Sequence, residues 1–225
     1  GFWAASAATQ GRALATMKGK HDMRGTILAA VAMLTACVLG CGGEAEKQAA
    51  SSKGTIGVSV LTMTNPFFKT IADTITAEAA ANGYATTITS GEFDVAKQQN
   101  QVKDFIVAGC SAIVLCPCDS RSIGPAIEEA NAAGIPVFTA DIACLAEGVD
   151  VVSHIASDNL GGGRLAAEAM IEALGDGGGE VVVLDFKQAE SCILRVQGFK
   201  EVVEQHNADH PDAVISIVAE LPGDG

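Results

Sequence analysis

The sequence predicts an α/β fold with a doubly wound parallel sheet. Three observations predict it. Short apolar runs rich in β-branched residues recur from Thr55 onward. A segment with helical spacing separates most of them from the next. The runs are continuous rather than alternating, which is the pattern of strands covered on both faces. Strands followed in turn by helices build such a sheet.

The elements follow in order. "TIGVSVL" (55–61) is the first strand, and Pro66 to Asn82 carries helical spacing. "YATTITS" (84–90) leads to a helix over 94–108, and "AIVLCP" (112–117) to a helix over 123–133. "PVFTA" (136–140) is a fourth strand, and "VVSHIAS" (151–157) precedes a helix over 160–174. "EVVVLDF" (180–186) precedes a helix over 191–207, and "AVISIVAE" (213–220) is last.

In open sheets of this kind, ligands sit beyond the carboxyl ends of the strands. That edge carries Thr62 to Phe68, Gly91 and Glu92, Pro117 to Ser120, Asp141 and Ile142, and Ser157 to Asn159. "TNPFF" (64–68) is notable there, because adjacent aromatics point in different directions and one is awkward to bury. On this edge their faces can line a pocket. Asp141 ends a buried strand on the same edge; it is a ligand-facing carboxylate or a turn residue.

The chain has 225 residues, 4% aromatic, with a formal net charge of −13. That acidity excludes nucleic acid and anionic membrane surfaces as partners, since both select a basic face. Residues 1–16 read as extraneous to the working protein. Over 17–41, Lys18, Lys20 and Arg24 precede the apolar run "TILAAVAMLTA" (26–36). Such a run is too short to span a bilayer but suits an export signal. It ends in "LTAC" and "VLGC", which resemble a bacterial lipoprotein box and make Cys37 or Cys41 the lipidation site. An ordinary cleaved signal is the alternative. Residues 42–54 read as a flexible tether, 55–157 as a first α/β lobe and 158–225 as a partial second one.

Five cysteines remain: Cys110, Cys116, Cys118, Cys144 and Cys192. An odd number in an oxidising compartment leaves at least one thiol unpaired. "CPC" (116–118) lacks zinc-ligand spacing, so no metal is expected. Cys118 and Cys144 follow neighbouring strands, and a disulfide between them is expected at the cleft rim. Gly161, Gly163 and Ala166 fit G-x-G-x-x-A, a weak dinucleotide fingerprint. Ser157, Asp158, Asn159 and Leu160 precede that glycine where a tight turn should follow the strand directly, so Asp158 or Asn159 reads better as a helix N-cap. No catalytic set stands out.

"TNPFF", "VVSHIASDN" and "RVQGF" resemble the ribose-type periplasmic sugar-binding proteins, receptors of ABC importers whose fold also forms LacI-type effector domains. The resemblance runs from about Lys53 to the end. It implies two doubly wound lobes closing on a sugar. It implies that Asn65 hydrogen-bonds the sugar, Phe67 and Phe68 pack on its apolar faces, and Asp141 accepts from two adjacent hydroxyls. Arg195 would donate from the second lobe, and Asp158 and Asn159 would form the hinge. Two departures stand out: Ile142 where the family commonly has Arg, and Leu61 where ribose receptors often have a small hydroxyl residue. The second lobe reads as incomplete.

The expected function is a lipid-anchored substrate-binding protein of a sugar ABC importer, with no catalysis and no cofactor. Its expected partners are a monosaccharide and a membrane permease, with the membrane touched only through the lipid. The alternatives are a sugar-sensing receptor or LacI-type effector domain, and an NAD-dependent oxidoreductase using Gly161 to Ala166. No helix-turn-helix precedes the core, which argues against the repressor.

Overall fold

The structure, a computed structural model, describes residues 52–223. The segments 1–16 and 17–41, with Cys37 and Cys41, lie outside the described residues, as does most of 42–54. The elements are β1 (Thr55–Val60), α1 (Pro66–Ala81), β2 (Ala85–Ser90), α2 (Val95–Val107), β3 (Ala112–Leu115) and α3 (Gly124–Ala132). They continue as β4 (Val137–Ala140), β5 (Ser153–Ile155), α4 (Asn159–Leu174), β6 (Gly179–Asp185), α5 (Glu190–Asp209) and β7 (Ile215–Pro222). A short 3-10 turn, Gly175–Gly177, separates α4 from β6. No described helix is long and apolar enough to cross a membrane.

The first five strands form one parallel sheet in the order β2-β1-β3-β4-β5. Both faces of this sheet carry helices, which is why its central strands are mostly apolar. On one face Val102 and Phe105 of α2 meet Ile113 and Leu115 of β3, and Ile123, Ala126 and Ile127 around α3. On the other, Val58 and Val60 of β1 pack against Phe68 and Ala72 of α1. The second sheet holds β6 and β7, parallel, with a bulge between Val181 and Val182. Val181 and Ile215 pack there against Ala167 of α4 and Val203 of α5.

Two strands start two residues later than their apolar runs. β5 keeps only three residues, all exposed, because it lies at the sheet edge and pairs with β4 alone. β7 starts at Ile215 rather than Ala213 because α5 reaches back to hold it. The Asn207 amide donates to the Ile215 carbonyl and accepts from its N–H, both at 2.8 Å.

The glycines of "LGGGR" have a packing role. Asp158 caps α4, its carboxylate accepting from Gly161 N at 2.9 Å. A Cβ on Gly163 would overlap the Arg195 carbonyl, and a Cβ on Gly198 would overlap the Leu160 carbonyl. The two helices therefore touch backbone to backbone through reciprocal glycines. That contact accounts for the spacing without a nucleotide. Gly163→Ala is expected to cost about 1–3 kcal/mol of unfolding free energy in urea titration. Gly162 faces open space, so Gly162→Ala is expected to add roughly 0.5–1 kcal/mol.

Candidate ligand cleft

The site begins at a helix start. Asn65 has extended backbone and caps α1, its Oδ1 accepting from Phe67 N at 3.0 Å. Pro66 follows at the first helical position, where a missing N–H costs nothing. This places the two phenylalanines in the first turn, about 100° apart around the axis. Phe67 is 50% exposed and Phe68 only 6%. Their rings meet edge to face at 5.2 Å.

Across the sheet, Asp141 directly follows β4. Its φ is +65°, and Ile142 N donates to the Ala140 carbonyl at 2.8 Å, closing a three-residue turn. Asp141 N is held by the Ile155 carbonyl of β5 at 2.9 Å. Such a φ is uncommon outside glycine, though Asp and Asn tolerate it best. The turn stops the strand abruptly, with Asp141 and Ile142 side by side.

These residues line one cavity of about 230 Å³. Asn65, Phe67, Phe68 and Asp141 enter from the first sheet, and Arg195 enters from α5. All five ligand residues expected from the sequence are thus brought together. The Asp141 carboxylate has no hydrogen bond from another described side chain, and the Arg195 guanidinium has no ion pair among the described residues. Burial pushes the Asp141 carboxyl above the ordinary carboxylate range, and nearby Glu190 adds to this. The charges of Arg195 and His154 pull it down only partly.

Phe186, Ser191 and Cys192 also line the cavity. Sequence reasoning did not assign them. Phe186 directly follows β6, so the carboxyl-edge rule could have found it. The loop after β6 is fastened to the first sheet. Ser120 N donates to the Gln188 carbonyl at 2.8 Å, and Glu190 N donates to Ser120 Oγ at 2.9 Å. Phe93 and Phe186 meet edge to face at 6.1 Å.

Asp158 and Asn159 stand apart from the cavity, where the chain leaves β5 and enters α4. Asn159 is buried, with its Oδ1 lacking a partner among the described residues. The expected Cys118–Cys144 bridge is not formed; both thiols are free. Cys118 turns toward Gly91, beyond β2, while Cys144 follows β4 and packs on the α3 side of the core. In the strand order these lie on opposite sides of β3. Burial pushes the Cys116 and Cys118 thiols up to about 12. Among the described residues no group of three His, Cys, Asp or Glu could hold a metal ion.

Residues 56–224 match the family model described as "Periplasmic binding protein domain". The chain belongs to this family. It is similar to the ribose import binding protein of Haemophilus influenzae, 32% identical over 193 residues, covering 86% of this chain and 62% of that one. It is similar to a D-apiose import binding protein of Paraburkholderia graminis, 38% identical over 141 residues, covering 63% of this chain and 45% of that one. Among solved structures it is similar to an ABC transporter solute binding protein from Agrobacterium vitis bound with α-D-tagatopyranose. That likeness has a TM-score of 0.67 at 28% identity, covering 76% of this chain and 59% of the other. The chain therefore spans between 45% and 62% of the length of these relatives.

Because Phe68 is core and Phe67 is not, their truncations should separate. Phe68→Ala is expected to lower unfolding free energy by about 3–5 kcal/mol. Phe67→Ala is expected to lower it by less than about 1 kcal/mol. Chemical denaturation of both variants measures the difference.

Proposed function

We propose that this chain is the ligand-recognising part of a receptor for a sugar ABC importer, holding one monosaccharide without catalysis. The observation that carries the reading is the cavity itself. One carboxylate, one guanidinium, one amide and one accessible aromatic face converge at the carboxyl ends of the strands. Its volume of about 230 Å³ lies below the roughly 300–1,000 Å³ of drug-sized sites.

The chemistry follows from the parts. A pyranose or furanose has C–H faces and a hydroxyl rim. Phe67 offers a flat apolar face to the first, with the edge of Phe68 behind it. Asp141 accepts from two adjacent hydroxyls, since its oxygens share one plane and charge-assisted bonds are strong. Asn65 has spent its oxygen on the cap, so its Nδ2 is the free donor. Arg195 donates from the opposite side. Because the ligand bridges groups from both sheets, its contacts draw them together about the crossing at Asp158 and Asn159. A membrane permease then receives the closed form. Export and lipid anchoring at Cys37 or Cys41 would hold the receptor beside that permease.

Asp141→Asn tests the pocket. Asn tolerates the positive φ, so the fold should survive, and loss of a buried charge should leave melting temperature unchanged or higher. Sugar affinity, measured by calorimetry on the full-length gene product, should fall at least tenfold. Unchanged affinity would contradict the assignment. The proton competes with the sugar for the same oxygens. Affinity should therefore decline as pH falls through the Asp141 pKa, beginning at a higher pH than for a solvated aspartate. For the anchor, labelled palmitate in a bacterial host should mark Cys37 or Cys41. A soluble product with its N-terminus intact would sink that part.

A further inference from the structure

We infer that the ligand is a deoxy or methyl-bearing sugar, one that turns a carbon without a hydroxyl toward Leu61, Ile142 and Cys192. The inference rests on the sugar-receptor reading above and narrows it.

The polar groups of the cavity are few. Asn65 Nδ2, the Asp141 carboxylate and the Arg195 guanidinium are free, and Ser191 adds one hydroxyl. The rest of the lining is apolar. Leu61 and Ile142 are 2% and 1% exposed and belong to one packed cluster with Phe68 and Ala189. Cys192, beside them, carries only a weak donor.

Backbone groups often serve hydroxyls where side chains cannot. Here three of the nearest backbone groups already have partners within the chain. The Leu61 carbonyl accepts from Phe93 N at 3.3 Å, and Ile142 N donates to the Ala140 carbonyl. Cys192 N donates to the Ala189 carbonyl at 3.1 Å. A sugar hydroxyl aimed at this wall would lose its water and find no strong side-chain partner. A hydrogen or a methyl group would fit it. The tight turn at Asp141 makes the juxtaposition obligatory, because the carboxylate that orients the ring stands next to the apolar Ile142.

An apolar wall rejects an added hydroxyl by roughly 10- to 100-fold. The test is calorimetry on the full-length gene product with matched pairs: L-rhamnose against L-mannose, L-fucose against L-galactose, and 5-deoxy-D-ribose against D-ribose. At least one deoxy member should bind tenfold or more tightly than its parent. Parent sugars that bind as well as or better than every deoxy partner would overturn the inference while leaving the sugar-receptor reading in place. A folded protein that binds no member of any pair would overturn the inference, and a panel of other monosaccharides then decides the sugar-receptor reading. Cys192→Ser places a hydroxyl on the accessible part of the wall with little change in volume. It should move the deoxy-to-parent ratio toward the parent by several-fold, and an unmoved ratio would remove Cys192 from the wall. The wild-type ratio decides the central claim whether or not that variant folds.

Discussion

A single buried amide fixes the edge on which the cavity is built. Gln98 of α2 is wholly inaccessible. Its nitrogen donates to Ser59 Oγ at 3.1 Å and to the Cys116 carbonyl at 3.0 Å. Its oxygen accepts from Cys118 N at 2.8 Å. Ser59 in turn donates to Gln101, which donates to the Ser90 carbonyl. The ends of β1, β2 and β3 are thus bound to one helix through side chains alone. Past the strand ends the Cys116 carbonyl and Cys118 N–H have no backbone partner, and an unpaired buried group costs about 1–3 kcal/mol. Gln98 satisfies those groups where the chain must leave the sheet. The loops that carry Leu61, Asn65 and Ser120 start from points that cannot drift.

From that anchored edge the second half of the site is positioned by contact rather than by shared strands. Ser120 stands at the junction. Its N–H and hydroxyl hold the loop after β6, and its carbonyl accepts from Leu145 N at 2.7 Å. The same small residue therefore ties the Asp141 loop to the segment that begins α5. Arg195 then faces Asp141 because Gly163 and Gly198 let α5 lie directly on α4. A larger residue at either glycine would lift α5 and carry the guanidinium away from the carboxylate.

The framework was legible in the sequence because its strands are buried on both faces and its helices are capped. Each element stands within two residues of its expected place. Asn65 and Asp141 were legible for a related reason. Both are polar residues at the carboxyl ends of apolar runs, where a polar group must either cap, turn or bind. Asn65 does the first with its oxygen and is free to do the last with its nitrogen. What was not legible depended on direction. Sequence placed Phe67 and Phe68 on the edge but not the helical phase that buries Phe68. It placed Cys118 and Cys144 after neighbouring strands but not the side to which each turns. Gly91 leaves the space that Cys118 fills, and that space is set by β2, far away in sequence. Phe186 and Cys192 escaped because the loop after β6 meets the first sheet through tertiary contacts that no local pattern encodes.

The charge pattern narrows what the cavity can hold. The chain carries a formal charge of −13, and its surroundings repel anions at long range. Within the cavity one carboxylate faces one guanidinium, so the pair sums to zero. An anionic ligand would meet Asp141 at close quarters. A cation would meet Arg195. A neutral ligand with hydroxyls escapes both penalties and still gains the charge-assisted bonds. The raised Asp141 pKa expresses the same balance from the protein's side. Desolvation of that carboxylate outweighs the attraction of Arg195, so the empty site holds a charge whose environment does not fully compensate it. Hydroxyl donors from a ligand would complete the compensation. On the proposed reading, stability forgone in the empty cleft would be recovered on binding, and the buried Asp141 carboxylate would be the group that responds to the ligand.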